Sequence, residues 1–159
     1  MAKGRIFSIN LSREKGTPKS PVEEAVLVEN LGIEGDAHAE PGVRQVSLLS
    51  LESIERARQA LVERAREASI VLEPGVFAEN LTTEGIDLSR LAPGSLVKVG
   101  RGVLLRVSQI GKACHQGCTI FRQVGDCIMP RQGIFCEVLR GGRVRKGDIV
   151  EWVRESYKQ

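Results

Sequence analysis

Short apolar or alternating runs recur at about residues 4–9, 24–29, 43–49, 95–99, 102–110, 133–139 and 148–153, with Gly or Pro between many of them. Many short strands broken by turn residues are the pattern of a β-barrel or sandwich. Gly100-Arg101-Gly102 and Gly141-Gly142 tolerate positive φ between runs, which predicts tight reversals there. One segment has a different period. Leu51, Ile54, Ala57, Leu61, Ala65 and Ala68 recur at three and four residues, which predicts a single amphipathic helix over about 51–68. Ser50 is placed to cap its free N–H groups, Glu52 to meet the helix dipole, and Arg64 and Arg66 to sit near the other end. The apolar stripe of this helix is expected to seal one mouth of the barrel. Pro74 and Gly75 then stop it and open a loop running to Asn80. The expected fold class is mainly β: a barrel with one helix and short peripheral helical turns, in a single domain over residues 1–159.

A chain of 159 residues buries roughly 70% of its unfolded surface, so folding does not require disulfides. No apolar run approaches the ~20 residues of a membrane span, and Met1-Ala2-Lys3-Gly4-Arg5 lacks the apolar stretch of a secretory signal. The expectation is a cytoplasmic protein with no membrane partner. The net charge of +3 is too small to suggest binding to a nucleic acid polymer. Its distribution is uneven: residues 98–146 hold ten Lys or Arg against two acids, Asp126 and Glu137. Such a region would attract an anionic ligand such as a phosphate-bearing cofactor. Solvated charges on alternating strand positions would give the same count.

The four cysteines, at 114, 118, 127 and 136, cluster late in the chain. In a reducing compartment they read as thiols, metal ligands or buried small hydrophobes. Cys114 follows the run 103–110 and a Gly-Lys-Ala turn, which puts its thiol at a strand end. Lys112 and His115 beside it would stabilise the thiolate, the form that attacks sulfur or binds a soft metal. Cys118 and Cys127 could join Cys114 and His115 around zinc or an iron–sulfur cluster, although the spacing is irregular for such sites. Cys136 alternates within an apolar run and reads as core.

The other histidine lies in Gly35-Asp36-Ala37-His38, where the glycine allows a turn and the Asp36 carboxylate can orient the His38 imidazole. The same spacing occurs in ordinary turns in which Asp caps its own backbone. Arg44 could bind an anion bidentately or occupy the solvent side of a strand. Asn80 could present a donor and an acceptor to a ring edge, or satisfy local backbone. Arg131, in the loop entering the run 133–139, is a further candidate ligand contact.

Gly35-Asp36-Ala37-His38, Gly75-Val76-Phe77-Ala78-Glu79-Asn80-Leu81, Leu91-Ala92-Pro93-Gly94-Ser95, Cys114 after a strand, and Gly133-Ile134-Phe135 with Gly147-Asp148 occur in this order. Together they resemble the MOSC family, named for the molybdenum cofactor sulfurase C-terminal domain, over nearly the whole chain. The resemblance implies a β-barrel with peripheral helices. It also implies that Cys114 matches the family's signature cysteine, which carries sulfur from a cysteine desulfurase in sulfurase-type members and ligates molybdenum of a pyranopterin cofactor in reductase-type members. Asn80 matches a position near that cofactor.

The expected function is therefore a molybdenum-cofactor binding or handling protein with Cys114 as metal ligand or persulfide carrier. Lys112, Arg44 and Asp36 would line the cofactor site, Asn80 would touch the pterin, and His38 and His115 would deliver protons. Cysteine desulfurase or cofactor-insertion proteins are the expected partners. A reductase of N-hydroxylated compounds is the alternative, and it needs a flavin or iron–sulfur electron donor because the chain carries no nicotinamide or flavin motif. A non-catalytic module held by zinc is the third reading.

Overall fold

A computed structural model describes residues 2–65, 72–111 and 128–153. The described residues form eleven strands: β1 Lys3–Leu11, β2 Ser20–Val22, β3 Glu24–Val28, β4 Gly32–Ile33, β5 Val46–Ser50, β6 Leu81–Glu84, β7 Leu96–Val99, β8 Val103–Ile110, β9 Ile134–Arg140, β10 Gly142–Arg145 and β11 Ile149–Val153. Seven of them close into a barrel in the order β11-β7-β8-β9-β5-β6-β1, with β1 pairing back onto β11 through Lys3↔Glu151 and Arg5↔Ile149. Closure leaves the ring without a free edge. β2 extends the sheet beside the far end of β1, while β10, β3 and β4 form a separate small sheet.

Period-two alternation fills the interior. Val97 and Val99, Val103, Leu105 and Val107, Ile134, Cys136 and Val138, and Val46 and Leu48 all belong to one buried cluster. Cys136 falls on this inward phase, as expected, and its burial pushes the thiol far above its ordinary value. Gly100 takes φ +61 in the β7–β8 reversal, and Gly142 takes φ +155 just after β9. The reversal at 100–102 is present between paired β7 and β8, whereas at Gly141-Gly142 the chain leaves β9 to pair with β3 in the small sheet and makes no tight reversal.

The helix α1 runs over Leu51–Ala65; residues 66–68 of the expected span lie outside the described residues. Ser50 caps it, its Oγ accepting the Ser53 N–H at 3.0 Å. Glu52 accepts the Gly85 N–H at 2.9 Å and ties the first turn to the end of β6. Its stripe does not close the barrel. Ile54 and Ala57 pack instead with Leu49, Phe77 and Phe135 in a second cluster, because Leu49 and Phe135 are on the outward phase of β5 and β9. The face that joins the interior is that of the small sheet, through Ala25, Leu27, Ile33 and Val144. The 24–29 run is therefore a strand outside the ring. Short helical turns occur at Leu88–Arg90 and, as α2, at Met129–Gln132.

β6 was not expected. Its sequence, Leu81-Thr82-Thr83-Glu84, is too short and polar to show an apolar period. It holds a central place nonetheless, parallel to β5 through Leu48↔Leu81 and antiparallel to β1 through Ile9↔Leu81.

Candidate functional site

Two loops meet around one buried lysine. Ser12 follows β1, Lys19 precedes β2, and Asp36 and His38 follow β4. Gly35 takes φ +88, which turns the chain so that Asp36 faces inward. Lys19 Nζ donates to Asp36 Oδ1 at 2.8 Å and to Ser12 Oγ at 3.0 Å, and lies 3.1 Å from His38 Nδ1. The Lys19 and Asp36 side chains are both 0% exposed. Asp36 also accepts the Ser12 N–H at 3.1 Å and the His38 N–H at 3.0 Å. Asp36 thus caps the main chain of its own turn, while the nearest partner of the His38 ring nitrogen is Lys19. Burial acts to raise the Asp36 carboxyl, but the hydrogen bonds of His38 and Lys19, with the Lys19 charge, hold it well below the ordinary carboxylate range.

The His38 side chain is 21% exposed and lines a cleft of about 380 Å³ with Lys15, Glu40, Arg44 and Phe135. That volume lies in the ~300–1,000 Å³ range of small-molecule sites. Lys15 is paired with Glu40 at 2.7 Å. Arg44 makes no ion pair among the described residues and is exposed at the cleft wall. Its loop is fixed from beneath. Gln45, fully buried, donates to the Gly42 carbonyl at 2.9 Å and to Asn30 Oδ1 at 3.1 Å, and accepts the Val138 N–H at 2.9 Å. The Ser108 hydroxyl on β8 meets the Val43 carbonyl.

Asn80 lies elsewhere. It is 1% exposed, its Oδ1 accepts the Ser47 N–H at 3.0 Å, and its Nδ2 donates to the Asn10 carbonyl at 3.3 Å. This amide stitches β5 to β1, and it does not line the cleft. A larger cavity of about 670 Å³ is lined by Ile110, Ile134 and Arg131 together with Arg56 and Ser53 of α1.

Cys114, His115, Cys118, Cys127 and Lys112 lie outside the described residues. Among the described residues no group of three or more His, Cys, Asp or Glu is arranged to hold a metal ion, and no helix is long and apolar enough to cross a membrane.

Sequence reasoning missed Lys19, Ser12 and Glu79. Lys19 sits in Gly16-Thr17-Pro18-Lys19-Ser20-Pro21, a stretch with the composition of a solvated turn, and its partners come from the far end of its own loop, Ser12, and from the β4–β5 loop, Asp36 and His38. Its main chain is clamped as well: the Lys19 N–H donates to the Gly75 carbonyl at 2.7 Å. A Cβ at Gly75, which takes φ +92, would stand 2.3 Å from the Lys19 carbonyl oxygen. Glu79 holds that turn from behind, accepting from Gly75 N at 2.8 Å, Thr82 Oγ1 at 2.7 Å and Phe77 N at 3.3 Å. Burial raises its carboxyl despite those three bonds. A Glu followed by Asn in a loop gives no local sign of full burial.

The family model described as MOSC domain matches residues 34–151. None of the curated proteins matches the chain by sequence. Among solved structures, the YuaD protein from Bacillus subtilis is 20% identical, with TM-score 0.73 over 98% of this chain and 97% of that one. YiiM from Escherichia coli is 22% identical, with TM-score 0.67 over 97% of this chain and 72% of that one. YiiM from Geobacillus stearothermophilus is 19% identical, with TM-score 0.66 over 95% and 75%. At these identities the likeness is one of fold.

Proposed function

The chain belongs to the MOSC domain family, and from that premise we propose that it binds or handles the molybdenum cofactor, with Cys114 as metal ligand or as persulfide carrier. The observation that supports this reading is the cleft walled by Arg44 and His38, with Phe135 of β9, and backed by the buried Lys19–Asp36 pair. β8 ends at Ile110, and Gly111 donates to the Gly133 carbonyl, two residues from the cleft-lining Phe135.

The residues present fit an anionic group. A guanidinium without an ion pair among the described residues and an imidazole edge are donors suited to phosphate or oxo oxygens. Arg44 and His38, with Lys112 from the sequence, would hold the phosphate-bearing part of the cofactor. When bound, the cofactor supplies redox and atom-transfer chemistry at molybdenum; the chain's own residues bind it, orient it and keep water from its buried side. Asp36 acts one step back, fixing Lys19 and His38. In the sulfur-carrying form of the proposal, a cysteine desulfurase is the donor.

The test is metal and pterin analysis of protein made in a cofactor-competent host. Cys114→Ser should lose metal retention or persulfide loading, and Arg44→Ala should weaken pterin retention. Normal retention together with normal sulfur loading in Cys114→Ser would end the proposal.

A further inference from the structure

The proposed role of the cleft leaves open why an ammonium is buried behind its histidine. Lys19 Nζ lies 3.1 Å from His38 Nδ1. A protonated lysine carries donors and no acceptor, so a hydrogen bond there requires Nδ1 to accept. A neutral imidazole has one nitrogen that accepts and one that donates, so the proton then stands on Nε2. Nδ1 is turned toward the buried pair, and the ring lines the cleft. The competing arrangement has Nδ1–H donating to Asp36. Asp36 Oδ2 is 3.6 Å from Nδ1, beyond a normal hydrogen bond, and it already takes the His38 main-chain N–H at 3.0 Å.

We propose that Lys19 is a positioning residue that fixes His38 as the neutral Nε2–H tautomer, so that the cleft receives a hydrogen-bond donor at this point. A ligand must then present an acceptor oxygen to His38, as a phosphate or another oxyanion does, and Arg44 on the same cleft supplies the countercharge. The ligand part of this inference rests on the anionic reading of the cleft given above. The tautomer part stands on the geometry alone.

The chain has two histidines, so imidazole nitrogens can be read one by one. Long-range proton–nitrogen correlation spectra of the full ¹⁵N-labelled chain, at a pH where imidazole is neutral, with His115→Gln for assignment, report the tautomer directly. In the wild type, His38 should show a bare Nδ1 and a protonated Nε2. Lys19→Met should move His38 to the Nδ1–H form or to a mixture, and Lys19→Arg, which keeps a donor-only cation, should retain Nε2–H.

A wild-type Nδ1–H tautomer, or a Lys19→Met spectrum unchanged from wild type, would overturn the proposal. A lysine serving packing alone would leave the tautomer unmoved. If Lys19→Met does not fold, the wild-type spectrum decides by itself. Titration with inorganic phosphate should shift the Nε2 resonance. Failure of that shift alone removes the anionic reading of the cleft and leaves the tautomer assignment standing.

Discussion

Lys19 and Asp36 form an ion pair 2.8 Å long in which neither side chain reaches solvent. Taking both charges out of water is costly, and the pair is sustained because nearly every remaining polar atom around it is engaged: Ser12, the His38 ring and two main-chain N–H groups converge on it. The pair joins the β1–β2 loop to the β4–β5 loop, so it defines the wall of the cleft as well as contributing to stability.

Removing one partner leaves the other charge buried without compensation. Lys19→Met and Asp36→Asn should each destabilise the protein by about 3–5 kcal/mol, measured by urea denaturation at neutral pH. The double variant Lys19→Met/Asp36→Leu should recover part of that loss.

Two buried carboxyls predict opposite responses to pH. Asp36 is held below its unfolded value of 3.8, so its contribution is present above that value and is lost as pH falls from there toward the folded value. Glu79 is raised above its unfolded value of 4.5, so the folded state keeps a proton the unfolded chain releases. Its contribution therefore declines as pH rises from about 4.5 toward the folded value. Denaturation midpoints followed across this range should fall less steeply in acid for Asp36→Asn than for wild type. Glu79→Gln should flatten the decline at the higher end.

Gly75→Ala places a methyl against the Lys19 carbonyl at a positive φ. The expected loss is about 2 kcal/mol or more. The amide of Lys19, protected by the Gly75 carbonyl, should exchange with solvent faster in this variant, which hydrogen-exchange NMR would show.

Arg44 and Asn80 should separate binding from stability. Arg44→Ala, at an exposed cleft residue, should change stability by no more than about 0.5 kcal/mol while weakening retention of inorganic phosphate measured by calorimetry. Asn80→Ala leaves the Ser47 N–H and the Asn10 carbonyl without their side-chain partner, and should cost about 2 kcal/mol or more. Denaturation and phosphate titration on the two proteins would decide it.

The barrel was legible where strands alternate: β7, β8 and β9 each show inward Val, Ile, Leu or Cys at every second place, and the helix was legible from its three-and-four spacing. β6 was not legible because Thr82 and Thr83 are buried by their neighbours in the sheet and not by hydrophobicity of their own. The placement of α1 was misread because amphipathicity says that a stripe is covered but not by what. At the site, Gly35-Asp36-Ala37-His38 announced a turn with a carboxylate near an imidazole. Its third member did not show, since the buried Asp36 contact to Lys19 spans 17 positions and a lone lysine between prolines looks solvated. Asn80 was noticed for its type, whereas its engagement depends on β1 and β5, which are remote in sequence.

The pairing of Lys3 with Glu151 also sets a timetable. β7 and the leading half of β1 each take β11 as a neighbour, so during synthesis both wait with one side bare until residues 149–153 have left the ribosome. The ring can be completed only after residue 153 has been made. Contacts of that sequence separation slow folding, and a chain stalled before β11 would offer two adhesive borders to any other nascent copy nearby.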